Sequence, residues 1–381
     1  MAVLAGLEVA TLKTIQINKP LLDEEEVEAV AEVLRSGVLT SRAQSGSRVG
    51  EFEKAFAHFV EAKYAFAVSS GTAALHLSLL ASGVGHGDEV IVPSFTFVAT
   101  AETVVLVGAK PVFVDIYPGS YNVDPEKIRK AITNRTKAIV PVDIFGLPAD
   151  VKLIKEIADE HCLTVVEDAA QAHGARYMGK SAGSFADLAC WSFYASKNMT
   201  TGEGGMITTD NDKFAERLPC MRTHGETGEY VSTMIGGNFR MPEVEAAIGC
   251  VQLRKLPLFL KARRKNAEGL LSRLKGLNWL QLPAVPKGYE HSWYLFTVKL
   301  KEGDAKRRDR VLGELRKLGI TATVYYPNPI HMMPFYRGFC KQRLPNTERV
   351  ARQVFSLPVH PGVTMEQIDY IASSVKKMKK E

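Results

Sequence analysis

Two residues between Leu163 and Met206 have the types and the spacing that chemistry needs. Asp168 closes the apolar run LTVVED, where a buried strand should end. Lys197 follows a second apolar run in WSFYASKN and precedes a glycine-rich TTGEGG turn. A carboxylate and a lysine on neighbouring strand ends suit pyridoxal phosphate. The amine forms a Schiff base with the cofactor aldehyde, and the carboxylate keeps the pyridine nitrogen protonated so that the ring accepts carbanion charge. Ser70, Gly71 and Thr72, in SSGTAALHL, sit at a strand-to-helix junction. Free N–H groups at a helix N-terminus bind anions; Gly71 permits close approach and the Thr72 hydroxyl adds a hydrogen bond. Taken alone, this motif is equally an ordinary helix cap. Its place ahead of Asp168 and Lys197 favours the anion site.

These residues need a scaffold, and the pattern supplies one. From Tyr64 onward, short apolar runs alternate with helical spacing. YAFAVSS, EVIVPS, PVFVDI, AIVPVDI, TVVEDA, LACWSF and GGMITT read as strands. GTAALHLSLLASG, TFVATAETVVLVG and ADVKLIKEIADEH read as helices. Continuous apolar strands in β–α alternation predict an α/β fold with a mostly parallel sheet covered on both faces. Ligands then bind at the carboxyl ends of the strands, where Asp168 and the Ser69–Thr72 turn fall. Ahead of this lie an expected loose leader (1–18), a helix ending at Gly37, a polar loop (38–50) and a helix in EFEKAFAHFVEA. From Leu256 the pattern changes to a long helix, a strand in WYLFTVKL, a helix, a strand in TATVYYP and a closing helix. The expectation is a large domain over 1–255 and a small α+β domain over 256–381.

The segments SSGTAALHLSLL (69–80), GDEVIVPSFTFVATA (87–101), VEDAAQAHGA (166–175), CWSFYASKN (190–198), GGNFRMPEVEAAIGCVQLRKL (236–256) and FSLPVHPGVT (355–364) occur in that order. In this the chain resembles the DegT/DnrJ/EryC1/StrS family of PLP-dependent aminotransferases acting on nucleotide-linked keto sugars, from about Lys19 to the last helix. The resemblance implies the fold type I architecture, with pyridoxal 5'-phosphate bound and its phosphate held by the 70–72 turn and by Ser192. It implies that Phe97 stacks on the pyridine, with Phe95 as competitor, and that Gln171 reaches the cofactor's phenolic oxygen. Asn238 matches a residue contributed across a dimer interface to the phosphate, so active sites shared in a homodimer are expected. Arg240, nearby, is a candidate for an anionic substrate, as is the loop from Thr40 to Arg48. His331 aligns with a substrate-side segment. Family branches that dehydrate carry histidine at the Lys197 position, so the lysine favours amino transfer, with glutamate the expected donor. Asp143, in PVDIFG, departs from the histidine common in relatives, which bears on sugar identity and not on the PLP chemistry.

Composition narrows the remaining classes. The chain has 381 residues, 46% hydrophobic and 24% charged, with a net charge of +6. That is ordinary for a globular enzyme, and it gives no support for nucleic-acid binding beyond mild basicity. The five cysteines form no CxxC or Cys/His cluster, so free thiols in the cytoplasm are expected, with no metal site. The start MAVLAGLEVATLK lacks signal-peptide features, and no long apolar stretch predicts a membrane span. Two competing readings are a PLP-dependent sugar dehydratase and a PLP-binding regulatory protein without turnover.

Overall fold

The structure is a computed structural model, and it describes residues 14–40, 47–228 and 230–378. Its centre is a seven-stranded sheet. The strand order is Tyr64–Val68, Gly205–Thr209, Leu188–Ser192, Thr164–Asp168, Thr136–Ile139, Glu89–Pro93 and Lys110–Val114. Gly205–Thr209 runs antiparallel to both neighbours, and the other adjacent pairs are parallel. The apolar runs expected to be strands all reach this sheet, although AIVPVDI keeps ladder pairing only over Thr136–Ile139.

Apolar clusters lie on both faces of the sheet. Helix Gly71–Ala81 is apolar nearly all round and packs against the strands beneath it, with Leu75, Leu77 and Leu79 buried. Helix Arg48–Val60 sends Phe52 and Phe56 against Trp191 and Phe193 in a second cluster. Helix Val151–Glu160 buries Ile154 and Ile157 over the middle of the sheet.

A smaller three-stranded antiparallel sheet orders Leu280–Gln281, Phe296–Leu300 and Val354–Leu357. Its cluster includes Phe296, Phe355 and Ile368, the last from the closing helix Met365–Lys377. One 32-residue helix, Glu243–Leu274, joins the two regions. It runs through the expected change of character at Leu256 and through Pro257, so no structural break falls there. The end of the GGNFRMPEVEAAIGCVQLRKL segment and the helix expected from Leu256 are one element; Pro257 is exposed and the helix is held by packing on either side of it.

Two other expectations change. TATVYYP is not a strand; it makes only an isolated bridge between Thr323 and Ser356. The end of the leader is fixed, while residues 1–13 lie outside the described residues. Ile15 is buried and bridges Ile320, and the Asn18 side chain donates to the Ser196 carbonyl at 2.6 Å. Arg263, buried on the long helix, donates to the carbonyls of Trp293 and Tyr294 and to Asn18. The leader, the long helix and the small sheet thereby meet beside the Lys197 turn.

Candidate active site

The strand Thr164–Asp168 ends on two buried carboxyl groups, Glu167 and Asp168. Its parallel neighbour ends at Ser192, and the chain then turns through Tyr194 to Lys197, whose N–H donates to the Tyr194 carbonyl at 2.9 Å. Gly71, Thr72, Phe97, Asp168, Gln171, Ser192 and Lys197 all line one cavity of about 460 Å³. Residues separated by more than a hundred positions therefore converge at the carboxyl edge of the sheet.

Asp168 is fixed tightly. Its Oδ2 accepts from the Thr100 hydroxyl at 2.8 Å, and its Oδ1 accepts from the Ala170 N–H at 3.3 Å. Burial pushes its carboxyl pKa up, and the Thr100 hydrogen bond and the Lys197 charge pull back. Lys197 Nζ lies 4.9 Å from the centre of the Tyr294 ring and makes no ion pair or hydrogen bond with the described residues. Burial lowers its pKa to about 8, opposed by Asp168. An amine this close to neutral exists partly as the free base, the nucleophilic form.

At the opposite wall, Ser70 caps helix Gly71–Ala81 by accepting from the Ala73 N–H at 3.0 Å. The Gly71 and Thr72 N–H groups have no partner among the described residues, leaving two donors at the helix's positive end. A Cβ added at Gly71 would meet Ser192 Cβ at 2.8 Å. Glycine is thus what lets this turn close onto Ser192. Phe97 is 55% exposed at the cavity, whereas Phe95 is 1% exposed and packed against Tyr121, Phe145 and Tyr326. Of the two rings, Phe97 lines the cavity and Phe95 belongs to the core. Gln171 is locked, with Oε1 accepting from Phe145 N–H at 2.7 Å and Nε2 donating to the Tyr326 hydroxyl at 3.1 Å. One N–H of its amide remains for a ligand.

These observations fit pyridoxal phosphate. Unpartnered N–H donors form a cradle that a methyl group would fill, an aromatic ring lies open, a carboxylate is held, and an amine of low pKa is unpaired.

The remaining expected residues lie elsewhere in the single chain. Asn238 is exposed, its main chain bridging Thr223. Arg240 bridges Val68 through its main chain, and its side chain finds no partner among the described residues. His331 does not reach the cavity. Its segment folds as a short buried turn: Nδ1 lies 2.7 Å from Ser94 Oγ, and Nε2 faces Glu348 Oε1 at 3.8 Å. Both ring nitrogens are consumed inside the fold, and burial lowers the imidazole pKa. The Thr40–Arg48 loop is outside the described residues over 41–46; Arg48 opens a helix and pairs with Glu32 and Glu51.

Sequence reasoning missed other lining residues: Tyr194, Ser196, Glu203, Tyr294, Tyr325 and Tyr326. Tyr194 and Ser196 stood inside the quoted SFYASKN segment, so a signal was present. The tyrosines at 294, 325 and 326 carried none, because nothing local marks them. No cluster of three or more His, Cys, Asp or Glu placed to hold a metal ion occurs among the described residues.

Comparison with known proteins agrees with this geometry. The model of the DegT/DnrJ/EryC1/StrS aminotransferase family matches residues 20–376. The chain is 40% identical to the GDP-perosamine synthase of Caulobacter vibrioides, over 96% of this chain and 99% of that one. It is 39% identical to the dTDP-3-amino-3,4,6-trideoxy-alpha-D-glucose transaminase of Streptomyces venezuelae, over 92% of this chain and 90% of that one. The PLP form of Spr1654 from Streptococcus pneumoniae superposes with a TM-score of 0.90 at 28% identity, over 96% of this chain and 100% of that one. The chain belongs to the DegT/DnrJ/EryC1/StrS aminotransferase family.

Proposed function

We propose that this protein is a pyridoxal-phosphate-dependent aminotransferase that takes an amino group from glutamate and places it on a keto carbon of a nucleotide-linked sugar, in a homodimer that shares its active sites. The observation that carries the chemistry is the unpaired Lys197 amine, its pKa lowered to about 8, in one cavity with the buried carboxyl of Asp168. The nucleotide-sugar class follows the relatives, and glutamate follows the family resemblance.

When bound, pyridoxal phosphate supplies an electron sink for the amino acid's Cα. The chain's own groups do the rest. Gly71 and Thr72 N–H and the Ser192 hydroxyl hold the phosphate. Phe97 covers the ring, and Gln171 offers its remaining N–H to the phenolic oxygen. Asp168, held by Thr100, keeps the ring nitrogen's proton in place. Lys197 would take and return the proton at the amino-acid Cα, a task that needs an amine titrating near the working pH.

The charge balance supports a second copy. The phosphate, glutamate and a nucleotide diphosphate are all anions, yet among the described residues the cavity's lining holds one cation, Lys197, beside Asp168 and Glu203. Asn238 and the unpartnered Arg240 follow the short hairpin Glu226–Gly228 and Val231–Ser232, where Tyr230 is 89% exposed; Ile235, beyond the hairpin, is 77% exposed. We assign these residues to the neighbouring copy's site. All five cysteines are free, which supports a reducing cytoplasmic setting.

Reduction of the PLP-loaded protein with borohydride, followed by peptide mapping, should place the pyridoxyl group on Lys197; a label on another lysine overturns the reading. A spectral change on adding glutamate, followed by amination of a keto-sugar nucleotide, separates turnover from mere cofactor binding. Lys197 argues against the dehydratase alternative, which carries histidine at this position.

A further inference from the structure

Behind Asp168 lies a second pair of acids that the proposed reaction does not use. Asp143 and Glu167 are both buried, at 0% and 1% exposure. Each is half satisfied. Asp143 Oδ1 accepts from the Ala149 N–H at 2.8 Å, and Glu167 Oε1 accepts from the Gly183 N–H at 2.8 Å. The other two oxygens, Asp143 Oδ2 and Glu167 Oε2, are buried with no donor among the described residues. The two carboxyl groups are within hydrogen-bonding reach of each other.

Ionised carboxylates are acceptors only, so two such groups side by side, each with a buried oxygen that meets no donor among the described residues, would be both unsatisfied and mutually repelled. One proton between them satisfies both, as an acid–carboxylate hydrogen bond that is short and strong in a dry interior. We propose that Asp143 and Glu167 share a single proton between Oδ2 and Oε2, and that this bridge positions Asp168. The backbone supplies the link. Glu167 precedes Asp168 on its strand, the Asp143 N–H donates to the Asp168 carbonyl at 3.1 Å, and the Asp168 N–H donates to the Pro141 carbonyl at 2.9 Å. The proton bridge ties the side chains of the same two strand ends that these bonds tie through the main chain. It also leaves one negative charge beside Asp168 where two would otherwise stand. Burial and the neighbouring carboxylates raise the affinity of the pair for that proton, which belongs to the pair and not to either member.

The effect on Asp168 rests on the proposed reaction; the shared proton does not. The test therefore uses the cofactor-free protein. Infrared difference spectra at neutral pH should show one buried protonated carboxyl that is lost in Asp143→Asn and lost again in Glu167→Gln, because either amide replaces the shared proton with its own N–H. Thermal melts should show each single amide variant close to the wild type, and Asp143→Ala well below Asp143→Asn. The double variant D143N/E167Q, which must oppose two donors somewhere in the bridge, should fall by more than the sum of the singles. A wild-type spectrum without this band, a band lost in only one single variant, or additive melts would overturn the bridge. Weaker PLP binding by Asp143→Ala than by Asp143→Asn carries the link to Asp168; equal binding, with the bridge intact by infrared, overturns that link alone.

Discussion

At Lys197 the fold works against the charge the residue carries in water. Burial favours the neutral amine, so the folded chain gives up its proton near pH 8 where an unfolded chain holds it to the ordinary lysine range. Below about 8 the protonated group costs stability, and as pH rises above that value the unfolded state binds more protons and the cost fades. Lys197→Met should therefore raise the melting temperature of the cofactor-free protein at pH 7, by the equivalent of about 1–3 kcal/mol. The advantage should shrink between pH 8 and the ordinary lysine pKa. A pH-independent difference would mean that packing, not charge, sets it. Asp168→Asn should leave the fold intact and lower turnover roughly a thousandfold, since an amide cannot hold the ring nitrogen's proton. Near-normal turnover in that variant would remove Asp168 from its assigned role.

The elements explain which parts of this site a sequence exposes. Ser70–Thr72, Asp168 and Lys197 each stand where an apolar strand ends, so a local pattern marks them. Tyr326 was invisible because it meets Gln171 from 155 positions away, and no periodicity encodes that contact. TATVYYP alternates like a strand, yet its neighbourhood offers a single bridge instead of a ladder. His331 looked available only because burial is a property of the packed turn and not of its sequence. The long helix starts well before the expected Leu256 and runs through Pro257, whose ring removes an N–H that helices normally use. Its packing overrides that loss, so Pro257→Ala should raise the melting temperature by a few degrees, with activity unchanged. A lower melting temperature would show that the helix needs its proline. The turn before helix Gly71–Ala81 offers the opposite case. Gly71→Ala must push back Ser192 at its Cβ and Cα, so the cofactor-free chain should melt lower, and PLP affinity should drop at least tenfold, more than that loss of stability explains. Equal loss in both would place the glycine's role in folding alone.

For the molecule as a whole, the seven-stranded sheet and its helices were legible from β–α alternation, whereas the proposed completion of the site by a second copy was expected only from the resemblance at Asn238, since no pattern in one chain specifies its neighbour. The proposed sharing has a direct test. Lys197→Ala and Asn238→Asp homodimers should each be inactive, the second because its carboxylate repels the phosphate. Mixed dimers place both lesions in one site and leave the other intact, so activity should return towards a quarter of the wild-type level after random subunit exchange. No recovery despite proven exchange would show that each chain builds its site alone.

The junction of Asn18, Ser196, Arg263 and Tyr294 also imposes an order in time. The Lys197 turn is synthesised halfway along the chain, but its supports come from the leader and from residues made about a hundred positions later. A nascent chain halted before Tyr294 carries all seven strands of the large sheet but cannot close the floor of its cavity. The cavity around Lys197 is thus a late product of synthesis, complete only once the chain has passed Tyr326.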